Sequence, residues 1–260
     1  RPLPFAVLGL LGSMKPGYRR KDELARDGRP DFVDIPRTRR FDHGDKDPVA
    51  LKQAEAVLAA IGGVREKHGH VEFWRFDYEP GAVLDEIVCS GVIPDQQSHQ
   101  FYPTPDDVAQ QAVALAAEGS AKGHHWLEPS AGTGNLVALF PEGMLVDCVE
   151  VSELHGAILR ARGHEPIVAD FLQMPTTMRR YDRIVMNPPF SEGLWLAHLE
   201  HAAALLAPAG RLVAVVPASA RGKSLFPGFT AVWSDVLENR FAGTGVAVAI
   251  VSLTRSGAPA

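Results

Sequence analysis

Residues Leu127 to Leu136 read LEPSAGTGNL, and this stretch decides how the second half of the chain folds. Its apolar beginning predicts a strand that ends near Glu128, and the apolar residues after the glycines predict a helix that starts near Gly134. Between them, Gly132 and Gly134 allow turns and a close approach of the backbone that side chains would prevent. This order of strand, glycine turn and helix is typical of a ligand-binding loop at the edge of an α/β sheet.

Two carboxylates narrow the kind of ligand that this loop would hold. A dinucleotide fingerprint requires a third glycine at position 137, where the sequence has Val137. Glu128 stands at the end of the first strand, where a carboxylate would repel a pyrophosphate but would suit an ammonium group. Glu150 ends the next predicted strand, a position from which an acid accepts hydrogen bonds from ribose hydroxyls. The pattern predicts a nucleoside with an amino-acid end and no phosphate, a description that S-adenosylmethionine fits.

Strands and helices alternate on both sides of the loop. Helices are predicted over 106–117, 153–162, 193–206 and 230–237, and strands near 128 and over 144–151, 166–169, 181–186, 211–216 and 246–254. Alternating strands and helices form a mostly parallel sheet that is covered on both faces. The pattern therefore predicts one α/β domain over residues 99–260.

Before residue 99 the pattern is less regular. Residues 12–47 are rich in glycine, proline, aspartate and arginine, which predicts loop or disorder and an irregular basic segment over 1–47. The elements predicted next are a helix over Val49–Ile61, a strand over Val71–Tyr78 and a helix over Ala82–Val88. They predict a small helix–strand extension over residues 48–98.

Charge is distributed unevenly along the chain. The formal net charge is −5, which gives no global sign of nucleic-acid binding. Residues 1–40, however, carry ten Lys and Arg against five Asp and Glu, a net charge of +5. This basic segment suits contact with phosphates, and a solvated tail explains it equally well.

The remaining composition bears on compartment, membrane and metal. The two cysteines, Cys89 and Cys148, indicate a reducing compartment, so we expect a cytoplasmic protein in which both are buried structural thiols. No run approaches the ~18 apolar residues needed to cross a bilayer, so no membrane partner is expected. The histidines show no convincing metal-ligand spacing, so no metal is predicted.

A second stretch, YDRIVMNPPF from Tyr181 to Phe190, carries the predicted chemistry. Its apolar strand runs directly into two prolines, which end the hydrogen-bond ladder and hold the backbone rigid. Asn187 offers a side-chain oxygen and Pro188 offers its carbonyl, and two such acceptors suit the two hydrogens of a planar amino group. Phe190 would stack on the ring that carries the amine. Pre-organised acceptors of this kind localise the nitrogen lone pair toward a methyl donor.

Five segments now stand in order along the chain: FYPTP (101–105), LEPSAGTGNL (127–136), CVEVSE (148–153), ADFLQ (169–173) and NPPF (187–190). Together they resemble the motifs of the N6-adenine DNA methyltransferases, over roughly residues 98–255. The resemblance implies a Rossmann-like class I methyltransferase fold with a seven-stranded, mostly parallel sheet and helices on both faces. It also implies S-adenosylmethionine as cofactor, DNA as partner, and methyl transfer to the N6 amino group of a flipped adenine.

The resemblance assigns roles to single residues. The implied cofactor-binding residues are Tyr102, Thr104, Glu128, Ser130, Gly132, Gly134, Glu150, Asp170 and Phe171. The implied catalytic residues are Asn187, Pro188, Pro189 and Phe190, with Phe241 as a second ring that stacks on the base. Plainer interpretations exist: Glu150 as a surface acid, Asp170 as a turn cap, and Phe101, Phe171 and Phe241 as core aromatics.

Three alternatives stay open within this resemblance. NPPF and its variants also occur in RNA adenine methyltransferases and in protein glutamine methyltransferases. A non-catalytic nucleic-acid-binding module could keep the fold. Similar DNA enzymes usually carry a sequence-reading domain after the catalytic one, whereas this sequence ends shortly after its last predicted strand. We therefore expect a basic amino-terminal reader, minimal specificity, a separate specificity subunit or a larger parent chain.

Overall fold

The computed structural model describes residues 2–24, 30–42, 44, 46–93, 102–177, 179–241 and 244–257. The chain forms two compact units. The amino-terminal unit comprises Arg1–Pro94 with Arg160–Gly163, and the carboxy-terminal unit comprises Asp95–Leu159 with His164–Ala260.

The amino-terminal unit combines helices with a four-stranded sheet. Its elements are α1 (Phe5–Gly12), β1 (Lys15–Leu24), β2 (Pro30–Arg40), α2 (Pro48–Ala60), β3 (Val64–His68), β4 (Val71–Arg75) and α3 (Gly81–Ser90). The strand order is β1-β2-β4-β3, and each pairing is antiparallel. Helix α2 begins at Pro48 because the Asp47 carboxylate caps it, accepting from the N–H groups of Val49 and Ala50 at 3.1 and 3.3 Å.

Strands β1 and β2 correct the prediction of loop or disorder over residues 12–47. Most of their described side chains are exposed or half-buried, so neither strand shows the apolar alternation that marks a half-buried strand. Contacts distant in sequence stabilise the pairing instead. The Gly17 N–H donates to Thr38 Oγ1 at 2.9 Å, and a Cβ at Gly17 would lie 3.0 Å from the Phe73 ring.

The carboxy-terminal unit is built on a seven-stranded sheet. Its elements are α4 (Asp106–Ala117), β5 (His125–Glu128), β6 (Leu145–Glu150), α5 (Glu153–Ala161), β7 (Ile167–Val168), β8 (Tyr181–Met186), α6 (Leu194–Leu205), β9 (Leu206–Pro217), β10 (Phe229–Trp233) and β11 (Val248–Arg255). The strand order is β10-β11-β9-β8-β5-β6-β7. The pairings are parallel except those of β11, which is antiparallel to both of its neighbours.

The sheet buries both of its faces, which confirms the predicted layers. Ile184 and Met186 of β8 enter one hydrophobic cluster together with Leu199 of α6. Val185, between them in sequence, enters a second cluster together with Val108 of α4. Because successive side chains of a strand point to opposite faces, the two helices cover opposite sides of the sheet.

Two predicted helices are wrong. After the glycine loop only a short 3₁₀ turn forms, Val137–Leu139, because Pro141 follows too soon for a longer helix. The predicted helix over 230–237 is instead strand β10, which pairs with β11. Phe229, Ala231 and Trp233 pack against the core on one face, so the apolar period there is two rather than 3.6.

Cys148 is buried, as predicted, and burial raises the pKa of its thiol to about 12. Cys89 is exposed, which corrects the prediction that both thiols are buried. It lies on α3, whose inward face is made of Val83, Leu84 and Ile87.

Within the described ranges, no helix combines the length and apolarity needed to cross a membrane.

Candidate active site

The carboxyl ends of β5, β6 and β8 lie at one edge of the sheet, because these strands are parallel neighbours. Chain order reverses between β5 and β8, the position at which open α/β sheets hold their ligands. A cavity of about 650 Å³ opens there, within the roughly 300–1,000 Å³ typical of small-molecule sites. Glu128, Glu150 and Asn187 stand at or just after the ends of these three strands and line it.

The cavity brings together most of the residues that the sequence predicts. Those lining it are Tyr102, Thr104, Glu128, Ser130, Gly132, Glu150, Asp170, Phe171, Asn187, Pro188, Pro189, Phe190 and Phe241. Gly134 does not line it. Its φ is 97°, and a Cβ there would lie 2.9 Å from Leu159 Cδ2, so Gly134 serves the packing of the loop. Phe101 lies outside the described residues.

Glu150 is held as a buried, ionised acid. Oε2 accepts from the Gly132 N–H at 2.7 Å, Oε1 accepts from the Ser152 N–H at 2.9 Å, and His155 Nδ1 lies 3.4 Å from Oε1. Burial by itself raises the pKa of Glu150, but these hydrogen bonds and the His155 charge outweigh burial and lower it. Because a carboxylate offers about four lone-pair positions, it can still accept from a ligand.

The pKa of Glu128 is shifted in the opposite direction to that of Glu150. Its side chain is buried, and Oε2 accepts from the Val137 N–H at 2.7 Å. Burial raises the pKa of Glu128 well above its ordinary value, and the nearby charge of Glu150 raises it further, against the Val137 bond. A cation placed beside Glu128 would favour its ionised form, so this carboxyl suits an ammonium group.

Asp170 and Phe171 also line the cavity. Asp170 Oδ1 accepts from the Leu172 N–H at 3.0 Å, so it caps a short 3₁₀ turn while it also lines the cavity. Phe171 is buried, with its ring centroid 5.6 Å from that of His198. Asp170 is therefore both a turn cap and a cavity-lining residue, and Phe171 is both a buried aromatic and a cavity-lining residue.

His198 is a lining residue that sequence reasoning missed. Its Nδ1 lies 3.3 Å from Ser130 Oγ. Burial lowers the pKa of His198 to about 4, so the ring is neutral near pH 7. In the sequence it is only one more residue of a helix, and no spacing signal distinguishes it.

The side-chain amide of Asn187 has a defined orientation. Nδ2 donates to Thr104 Oγ1 at 3.1 Å and to the Tyr102 carbonyl at 3.4 Å. A carbonyl only accepts hydrogen bonds, so the nitrogen and not the oxygen faces Tyr102. The side-chain oxygen therefore faces away from the Tyr102–Thr104 segment.

A second amide links this segment to the glycine loop. Asn135 Nδ2 donates to the Thr104 carbonyl at 3.0 Å, and Asn135 Oδ1 accepts from Thr133 Oγ1 at 3.1 Å. Hydrogen bonds thus run from the glycine loop through Thr104 to Asn187. The sequence contains Asn135 within LEPSAGTGNL but gives no indication of this partner.

Two aromatic rings, Phe190 and Phe241, line the cavity. Phe190 is half-buried, and Phe241 is only 6% exposed and packs in the cluster that contains Val108. Phe241 therefore contributes to the core as well as to the cavity wall. Among the residues that the structure describes, no group of three or more His, Cys, Asp or Glu is placed to hold a metal ion.

The sequence matches no protein-family model and no curated protein. Among solved structures, a Listeria monocytogenes protein described as a class I S-adenosylmethionine-dependent methyltransferase has a TM-score of 0.50 at 15% identity, over 68% of this chain and 67% of its own. TrmN from Thermus thermophilus has a TM-score of 0.49 at 21% identity, over 82% and 69%. The first likeness establishes the fold: this is the Rossmann-like fold of class I methyltransferases, as the sequence predicted.

Proposed function

We propose that the chain is a DNA adenine N6-methyltransferase, site-specific or orphan, that methylates an adenine flipped out of DNA. The orientation of the Asn187 amide carries this proposal. Its nitrogen is committed to Tyr102 and Thr104, so its oxygen is the atom left to accept from an amino group. Asn187 and the adjoining Pro188 both line the cavity.

The cavity fits S-adenosylmethionine as the methyl donor. Glu150 is ionised and lies where parallel-sheet proteins bind ribose. Glu128 suits the ammonium of the methionine part, and Asp170 can accept from the adenine amino group. The absence of a third glycine and of a basic residue in the loop argues against a phosphate-bearing ligand.

The cofactor supplies a methyl group on a positively charged sulfur. The chain orients the acceptor: the Asn187 oxygen and the Pro188 carbonyl accept the two amine hydrogens and localise the nitrogen lone pair toward the methyl group. A nitrogen–carbon bond forms as the sulfur–carbon bond breaks, and the extra amine proton leaves to solvent. Phe190 stacks on the base, which offsets part of the few kcal/mol needed to flip it.

The assignment of DNA rests on the motifs. FYPTP and LEPSAGTGNL together with NPPF point to DNA, whereas NPPF alone also suits RNA adenines and protein amides. No observation in the cavity favours RNA or protein over DNA. The experiment therefore compares DNA, RNA and protein as substrates.

The test measures transfer of labelled methyl from S-adenosylmethionine to duplex DNA, RNA and protein, in parallel with cofactor binding by calorimetry. We expect transfer to adenine in DNA. We expect Asn187→Ala to lower the rate by about 10²–10³-fold, as loss of a pre-organised transition-state contact does, and to leave cofactor affinity unchanged.

Three results would contradict parts of the proposal. Cofactor binding without methyl transfer to any polymer would contradict the enzyme assignment and favour a non-catalytic binding module. Transfer to RNA alone would remove the assignment to DNA. Equal loss of transfer and cofactor binding in Asn187→Ala would show that Asn187 supports the cofactor rather than the amine.

A further inference from the structure

We propose that His155 is a positioning residue, which holds the Glu150 carboxylate in the orientation that accepts a hydrogen bond from the ribose of S-adenosylmethionine. His155 lines the cavity, yet neither the sequence motifs nor the proposed methyl transfer gives it a role. The inference rests on S-adenosylmethionine as the cofactor of the proposed function, but not on DNA or adenine as the substrate.

Three contacts connect Glu150, Ser152 and His155 in a closed ring. The Ser152 N–H donates to Glu150 Oε1 at 2.9 Å. Ser152 Oγ accepts from the His155 N–H at 3.3 Å, the contact that a capping serine makes at the start of a helix. His155 Nδ1 lies 3.4 Å from the same Oε1 and completes the ring. These contacts fix the imidazole relative to the carboxylate before any ligand binds.

The contact between His155 and Glu150 has a defined direction. An ionised carboxylate only accepts hydrogen bonds, so the hydrogen on Nδ1 points toward Oε1 whether the imidazole is neutral or charged. Burial acts to raise the pKa of Glu150, but the hydrogen bond and charge of His155, together with the backbone bonds from Ser152 and Gly132, lower it. His155 therefore helps to keep Glu150 in the form that accepts from a hydroxyl.

The contacts of Glu150 leave little of its carboxylate unoccupied. An ionised carboxylate offers about four lone-pair positions. Ser152 and His155 contact Oε1, and the Gly132 N–H donates to Oε2 at 2.7 Å. Oε2 is thus the oxygen with room for a further donor, and an acid at this strand end accepts from ribose hydroxyls. Without His155, Oε1 would lose one of its two partners and the carboxylate could turn.

Packing alone does not explain a histidine at position 155. The buried residues of helix α5 are Leu154, His155, Gly156, Ile158 and Leu159. Among these five, His155 is the only one with a polar side chain. The side chains of His155 and Glu150 are each 8% exposed, so solvent screens their contact little. An apolar side chain would continue the buried face of α5, so what the imidazole adds is the N–H directed at Glu150.

The test measures the binding of S-adenosylhomocysteine and of its 2′,3′-dideoxy analogue by calorimetry, without nucleic acid. We expect His155→Leu to weaken binding of S-adenosylhomocysteine about tenfold, the lower end for a hydrogen bond to a charged group. The dideoxy analogue has no ribose hydroxyls, so His155→Leu should bind it as the wild type does. His155→Asn should recover most of the affinity, because asparagine Nδ2 is bonded to Cγ, as histidine Nδ1 is, and donates from there.

A double-mutant cycle separates positioning from packing. If His155 acts through Glu150, His155→Leu should have little further effect on S-adenosylhomocysteine binding in a Glu150→Gln background. His125→Leu is the matched control, because His125 begins β5 at the opposite end from Glu128 and the cavity. It should bind both ligands like the wild type.

Equal weakening of both ligands in His155→Leu, or additive losses in the double variant, would show that His155 only packs the site and would overturn the proposal. Unchanged binding of S-adenosylhomocysteine in His155→Leu would overturn it as well. Both ligands are compared on the same variant, so a general loss of stability cannot imitate a loss that depends on the ribose hydroxyls. Since no methyl transfer is measured, failure to methylate DNA would leave this result intact.

Discussion

Removal of the Thr104 hydroxyl tests whether the orientation of Asn187 sets the reaction rate. Thr104→Val keeps the branched shape of the buried side chain but removes the acceptor that Asn187 Nδ2 contacts at 3.1 Å. The amide then keeps only the Tyr102 carbonyl at 3.4 Å, beyond the usual range for this bond. The backbone carbonyl of residue 104 still accepts from Asn135, so the link to the glycine loop remains.

The expected loss follows from the strength of one hydrogen bond. A typical intramolecular hydrogen bond contributes about 0.5–1.5 kcal/mol net. If that free energy holds the Asn187 oxygen toward the amine, its loss lowers the rate about 2- to 13-fold, since 1.4 kcal/mol corresponds to tenfold. This is far less than the 10²–10³-fold expected for Asn187→Ala, because the acceptor oxygen is still present.

The assay is methyl transfer under single-turnover conditions, with the cofactor Kd measured separately. Thr104→Ser is the matched control, because it keeps the hydroxyl and should recover most of the wild-type rate. A Thr104→Val variant that transfers methyl at the wild-type rate would refute the orienting role. A variant that loses mainly cofactor affinity would show instead that the hydroxyl contacts the cofactor.

Three further predictions follow from burial and backbone geometry. Burial raises the pKa of Glu128 above its ordinary 4.5, so binding of the cofactor's ammonium group should release a proton. Cofactor affinity should therefore rise with pH until the carboxyl is ionised without the cofactor. Calorimetry should find no such pH dependence in Glu128→Gln. Gly134→Ala should lower the free energy of unfolding by ~1–2 kcal/mol for its positive φ and by ~1 kcal/mol more for its 2.9 Å contact. Gly123 also has a positive φ, but a Cβ there would have no other atom within 4 Å. Urea denaturation of Gly123→Ala should therefore show only the loss of unfolding free energy that comes from the positive φ. A thiol reagent should modify Cys89 in the folded protein, whereas Cys148 should react only after unfolding. Immediate reaction of both thiols would contradict the burial of Cys148.

Sequence patterns predicted most of the carboxy-terminal unit because its strands alternate with helices and its apolar periods are clear. Strand β8 was predicted with its observed bounds, Tyr181–Met186, since an apolar run ends there at two prolines. The errors occur where a local pattern suits two structures. Residues 230–237 contain apolar residues at both spacings, and only pairing with β11 selects the strand. The charged strands β1 and β2 carry no apolar period at all, so no local signal predicts them.

The sequence by itself determined which chemical groups stand at the carboxyl edge of the sheet. Glycine, proline and carboxylates adjoin strand ends in LEPSAGTGNL and YDRIVMNPPF, and parallel strands place such ends together. Only the tertiary structure decided how those groups are oriented. Asn187 meets Thr104 across 83 residues of chain, and Asn135 meets it across 31. Hydrogen bonds between such distant residues depend on how the sheet and its loops close in space, and no period in the sequence encodes that closure.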